Sequence, residues 1–135
     1  GADVTRVRKM FREHVEDYRA KGEAIRNAEL FREYFAISVC PSEGLDSPTV
    51  VGAQAANELL NIIGVKASFV LTDYRNTIYI SARSIDEINV QIVMERLGGG
   101  GHLNIAGAQL EHYSVAEAKD VLKQTLQKML DEGDI

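Results

Sequence analysis

Four consecutive glycines, Gly98 to Gly101, followed directly by His102, constrain this chain more than any other stretch of it. Each glycine loses more backbone freedom on ordering than any other residue would. The run lies between a helix-spaced pattern ending at Leu97 and a strand-like pattern beginning near Ala108. There it has to serve positive φ angles or a close approach of bare backbone to another group. Gly100 is expected among the positive-φ positions, where a β-branched residue would be resisted. Two readings are open. Backbone N–H groups in such a turn can form a concave anion nest, reinforced by the dipole of a helix starting beyond it. The other reading is a flexible loop or a tight helix C-cap followed by an ordinary surface histidine. A histidine placed immediately after the run favours a ligand of negative charge.

At 135 residues the chain supports one ordinary domain with its own core. A net charge of −5 argues against a general nucleic-acid or membrane surface, which would be basic overall. It leaves room for one small anion held by a local cluster. Cys40 is the single cysteine, so there is no disulfide framework and no thiolate metal site. Its neighbours Phe35-Ala36-Ile37-Ser38-Val39 mark it as a thiol packed in a strand. No apolar run approaches the roughly 20 residues of a membrane span, and no signal peptide opens the chain. A reducing, cytoplasmic setting is expected.

Helical spacing runs from Asp3 to Leu30 with one slip, through Val4, Val7, Met10 and Phe11, then Val15, Tyr18, Ile25 and Ala28. Asp3 and Thr5 are cap candidates, and the mixed charges from Arg6 to Asp17 read as a solvated face. A chain opening inside a helical pattern reads as part of something longer. The period switches to strand over 34–40. Ser47 and Pro48 then open a helix over 48–63, with Val51, Ala55, Leu59, Ile62 and Ile63 on one side and Gly64 as its stop. Strands over 66–74 and 77–84 meet at Arg75-Asn76 as a tight hairpin. Ser84 or Asp86 caps a helix carrying Ile88, Ile92, Val93 and Leu97. A strand over 108–113 and a helix capped by Ser114 close the chain. The expected fold is α/β: a mixed sheet of four to five strands flanked by helices, preceded by an N-terminal helical linker.

Two neighbourhoods carry candidate chemistry. Arg83 has the fork geometry that suits phosphate and stays charged at any relevant pH. His102 can donate to a phosphate oxygen, and Ser84 and Asn89 offer further hydrogen bonds. His14 and His112 read as surface residues. No metal-ligand spacing such as H-x-x-x-H, H-E-x-x-H or D-x-D occurs, and the run is neither a P-loop nor a dinucleotide fingerprint. No G-x-S-x-G elbow supports a serine nucleophile.

The combination of Gly98-Gly99-Gly100-Gly101-His102 with Ala106, Ser81-x-Arg83-Ser84 and Asn89-Val90-Gln91 resembles the DHH-associated substrate-binding domain of the DHH phosphoesterase superfamily. Gln54-Ala55-Ala56, the run Gly64 to Phe69, and Met94-Glu95-x-Leu97-Gly98 are similar to the branch of GdpP-type cyclic-di-AMP phosphodiesterases. The resemblance implies residues 1–31 as a linker from an upstream DHH domain and 32–135 as the substrate-binding domain. It implies that the DHH domain holds manganese and activates water, while this chain, lacking an Asp-His-His sequence, does not hydrolyse alone. Arg83, Ser84, Asn89, Gly98, Gly99, Gly100, Gly101 and His102 would bind a cyclic or short linear dinucleotide. No long nucleic acid is expected as partner, a homodimer is compatible, and the full-length protein could carry a membrane anchor. The branch often has Thr-Asn-Ala-Ala where this chain has Asn104-Ile105-Ala106-Gly107, so a polar contact to the base from position 105 is lost. Two alternatives stand beside this: a nanoRNase- or RecJ-like nuclease domain, and a non-catalytic nucleotide-binding or alanyl-tRNA-synthetase-like accessory module.

Overall fold

A computed structural model of the chain describes residues 15–135. The expected caps Asp3 and Thr5, the basic residues Arg6 to Arg12 and His14 lie outside the described residues. Residues 15–26 are helical (α1). They are followed by β1 (Glu29–Phe31), β2 (Phe35–Cys40), α2 (Pro48–Leu59), β3 (Ala67–Tyr74) and β4 (Thr77–Ser84). Then come α3 (Val90–Arg96), β5 (Gly100–Gly101), β6 (Ile105–Glu111) and α4 (Val115–Glu132). The strands form one six-stranded mixed sheet in the order β1-β2-β3-β4-β6-β5. Only the β2–β3 pair is parallel, because α2 crosses between them. The α/β architecture is the one expected, with two short edge strands, β1 and β5, beyond the strands anticipated.

Each face of the sheet is covered for a reason visible in the residues. On one side Phe35, Ile37, Phe69, Leu71, Ile78 and Ile80 pack against Val90, Val93 and Met94 of α3 and Leu122, Leu126 and Met129 of α4. On the other, Ala36, Cys40 and Val70 meet Ala20 and Ala24 of α1 and Val51, Ala55 and Leu59 of α2. Small residues let these helices sit close to the strands. Ser38 donates to the Ala24 carbonyl, Ser68 Oγ donates to Ala56 O at 2.6 Å, and a Cβ at Gly52 would strike Thr72. Burial pushes the Cys40 thiol up to about 11, with Glu23 adding to the effect. It is a packed thiol, as its strand neighbours implied.

Helix α4 starts at a capping box, with Ser114 accepting from Glu117 N and Glu117 accepting from Ser114 N, and ends at left-handed Gly133. Arg75 and Asn76 both take positive φ in the β3–β4 turn, as the hairpin needs. Four expectations fail locally. The last strand runs Ile105–Glu111 and not 108–113, because its pairing with Ala82 and Arg83 of β4 carries it back to Ile105. The first helix stops at residue 26, and Glu29–Phe31 joins the sheet beside β2 instead of continuing it. Helix α2 stops at Leu59, because successive i→i+3 bonds from Asn61 N and Ile62 N turn the chain outward and leave Ile62 and Ile63 exposed. Helix α3 is capped by Asn89, whose Oδ1 accepts from Ile92 N at 3.3 Å, and not by Ser84 or Asp86.

Strand β1 is held to α4 by charge. Glu29 Oε1 lies 2.9 Å from Lys123 Nζ and 3.5 Å from Lys119 Nζ. The Lys123 ammonium, seconded by Lys119, holds the Glu29 carboxyl below its ordinary value of 4.5. A depressed carboxyl stabilises the fold above its unfolded value, and the contribution is lost as pH falls through the folded one. Glu29→Gln should therefore cost about 0.5–1 kcal/mol near pH 7, the scale of solvent-screened pairs. Urea unfolding should show that gap closing as the pH drops below 4.5. A gap independent of pH would mean that packing, not charge, seats β1.

Candidate functional site

The glycine run does three different jobs. Gly98, at φ +84°, is the left-handed residue that ends α3. Its N–H donates to Glu95 O, and the next N–H, of Gly99, donates to Met94 O at 2.8 Å, the bond pair of a Schellman cap. Gly99 then passes over β6 so closely that a Cβ there would collide with the Gly107 carbonyl and stand 2.7 Å from Ala108 Cα. Gly100 and Gly101 pair with Gly107 and Ala106 as the edge strand. Gly101, at φ +146°, likewise has no room for a Cβ against Ala106. Gly100 has neither a positive φ nor a neighbour in the way, contrary to expectation.

The nest reading is corrected on the same grounds. Two of the N–H groups it needs are spent on the helix cap, and what points at the run is the negative C-terminal end of α3, not a helix N-terminus.

Arg83 stands near the end of β4, opposite Ile105 of β6. Its Nε donates to Asn57 Oδ1 of α2 at 3.0 Å and its Nη1 to Ala82 O at 2.9 Å. Burial pulls its guanidinium below the ordinary value, yet the group stays a cation at working pH. Both partners are neutral, and none of the ion pairs among the described residues includes it. His102 is exposed, and its N–H donates to Ile105 O at 2.7 Å. Ile105 thus lies between the backbones of Arg83 and His102, which are two strand spacings, about 10 Å, apart. Ile105 itself is 56% exposed between them.

Ser84 and Asn89 are not beside them. Ser84 is buried on the other sheet face, donating to Ile88 O at 2.6 Å and accepting from Asn104 Nδ2 at 2.9 Å. Asn89 is occupied as the α3 cap. The residue that sequence reasoning missed is Asn104. Its amide reaches Ser84 Oγ, Asp86 O and Ile88 O, while Leu103 O accepts from Val90 N at 2.9 Å. These bonds lace the β5–β6 turn to the β4–α3 loop and so fix His102 relative to Arg83.

Next to this pair a hollow of about 610 Å³ opens on the α2 face of β4 and β6. It is lined by Thr49, Tyr79, Ser81, Gly98, Gly99, Gly107, Gln109 and Glu111, among others. Arg83 and His102 are not in its lining. Arg83 follows Ser81 by two residues on the same strand face and so flanks it. No group of three or more His, Cys, Asp or Glu that could hold a metal comes together among the described residues. None of the described helices is long and apolar enough to cross a membrane.

A profile of the DHHA1 domain matches residues 33–130. The chain belongs to the DHHA1 family. It is 39% identical over 134 residues to cyclic-di-AMP phosphodiesterase GdpP of Geobacillus thermodenitrificans, covering 98% of this chain and 20% of that protein. It is 40% identical over 135 residues to GdpP of Bacillus subtilis, with the same coverage of 98% and 20%. Among solved structures it is similar to an exopolyphosphatase-related protein from Bacteroides fragilis, with a TM-score of 0.72 and 25% identity over 84% of this chain and 34% of that one. The chain spans about one-fifth of the length of the two GdpP relatives.

The DHHA1 glycine run can be tested for its three jobs. Gly99→Ala and Gly101→Ala should each lose about 1–3 kcal/mol of stability, the scale of overpacked contacts. Gly100→Ala should stay within about 0.5 kcal/mol of the unaltered chain. Denaturant midpoints read this directly, and a uniform loss across the three would show a loop with no position-specific packing.

Proposed function

We propose that this DHHA1 chain is the substrate-holding part of a DHH-type phosphodiesterase that opens cyclic-di-AMP to the linear dinucleotide pApA. The GdpP relatives carry that cyclic substrate in their names, and they match nearly the whole chain. The observation that carries the reading is Arg83. A half-buried cation with two neutral acceptors is oriented but not neutralised, which is the state of a side chain waiting for an anion. His102, across Ile105, supplies a second donor from the other side, and Gly98 and Gly99, which line the hollow, present bare backbone to a nucleotide.

The residues of this chain bind and orient; none is assigned a proton-transfer or bond-breaking step. The manganese that the family resemblance implies is assigned no ligand in this chain. On this reading the metal sits in a DHH domain preceding this chain; of the expected link 1–31, residues 15–31 are built into the fold as α1 and β1. Ser84, Asn89 and Asn104 act as scaffold, holding Arg83 and His102 in register. A cytoplasmic setting fits a nucleotide second messenger.

Calorimetry with cyclic-di-AMP, pApA and a DNA oligomer tests this. Both dinucleotides should bind, and Arg83→Ala should weaken them by about 1.5–3 kcal/mol, the range of a charge-assisted hydrogen bond. Unchanged affinity would remove Arg83 from the site. Binding confined to the oligomer, with a steep salt dependence, would favour the nuclease reading instead.

A further inference from the structure

The hollow beside Arg83 has a polarity of its own. Helix α2 runs alongside β4, so that Asn57 meets Arg83 at one end and Thr49 lines the hollow with Tyr79 at the other. The floor between them is made of small residues, Ser81 and the bare Gly107. Gly107 lies opposite Ser81, and Gly98 and Gly99 form the margin. Gln109, opposite Tyr79, and Glu111 mark the far end. Arg83 and Gln109 are four strand positions apart, about 13 Å. Cationic at one end and anionic at the other, the face repels phosphate from the Glu111 end.

We infer that this hollow is a nucleobase pocket, holding a purine flat on the bare backbone at Gly107 with its polar edge read by Gln109 and Glu111. The inference rests on the phosphate being held at Arg83, which sets the direction of the nucleotide along the face. A planar ring fits a floor left bare at Gly107, where a Cβ would lie 3.0 Å from the Ile80 carbonyl oxygen. The Tyr79 ring, backed by Tyr74 at 6.4 Å between centroids, closes one wall. The Gln109 carboxamide offers both a donor and an acceptor, the pair that matches adenine N7 and N6 amino group. The Glu111 carboxylate accepts only and so favours an exocyclic amine. The volume, about 610 Å³, lies within the range of small-molecule sites. Ile105, which cannot contact a base through a polar group, is not needed for this recognition.

Adenosine, ribose 5-phosphate and AMP, titrated separately, distinguish the pocket from the phosphate site. AMP should bind at least tenfold more tightly than ribose 5-phosphate. Gln109→Ala, at an exposed position, should erase that advantage and leave ribose 5-phosphate affinity unchanged. If AMP and ribose 5-phosphate bind alike, the nucleobase pocket is wrong while the phosphate reading stands. If adenosine and AMP bind equally, ribose 5-phosphate does not bind, and Gln109→Ala weakens the first two, the pocket stands and Arg83 is not its phosphate anchor. Binding by none of the three overturns both.

Discussion

The site depends on two backbones lying closer together than side chains permit. Gly99 and Gly101 cross β6 where a Cβ would run into main-chain atoms, and the residues beneath them, Ala106, Gly107 and Ala108, are themselves minimal. This small-on-small contact lets the chain leave α3 at left-handed Gly98, reverse, and lay an edge strand on β6 within a few residues. Without it the β5–β6 turn could not reach the β4–α3 loop, and Asn104 could not bridge to Ser84. The relative placement of Arg83 and His102 is therefore set by steric fit and neutral hydrogen bonds. It is not set by attraction between two donors, which have none for each other.

That division explains which parts of the molecule could be read in advance. Ser114 with Glu117, and Arg75 with Asn76, announce a helix start and a hairpin because the information sits within four residues. The three-residue strand Glu29–Phe31 carries no such mark. Ala28 and Leu30 fit a helical stripe as well as an edge strand, and the side chains that meet Glu29 in the strand form, Lys119 and Lys123, lie some ninety residues away. The α3 cap failed for a similar reason. Ser84, Asp86 and Asn89 are all competent caps by type, but Asn104 and the Ile88 carbonyl engage Ser84 first.

The candidate site residues divide along the same line. The glycine–histidine run and the S-x-R-S segment were visible as motifs, and the family they indicated is the one the chain belongs to. Their individual duties were not visible, because four identical letters hide a cap, a crossing and an edge strand. Thr49, Tyr79, Gln109 and Glu111 belong to no motif at all. They converge only through the β4–β6 register and the course of α2, neither of which is encoded near any of them.

Asn57 shows how charge and geometry are kept separate at this face. A carboxylate in its place would orient Arg83 equally well and would also satisfy its charge, leaving little to offer a ligand. The amide oxygen fixes the guanidinium and leaves the charge uncancelled. Partial burial adds to this, since a cation stripped of some of its water gains more from an incoming anion than an exposed one does. Meanwhile the chain as a whole is acidic, at −5, and Glu111 lines the far end of the hollow. A long polyanion would have to run its phosphates past that carboxylate and across an acidic surface. A short ligand can put its phosphate on Arg83 and its uncharged part towards Glu111. On the proposed reading, local cation, distant carboxylate and overall acidity together favour a small phosphate-bearing ligand over a long polyanion.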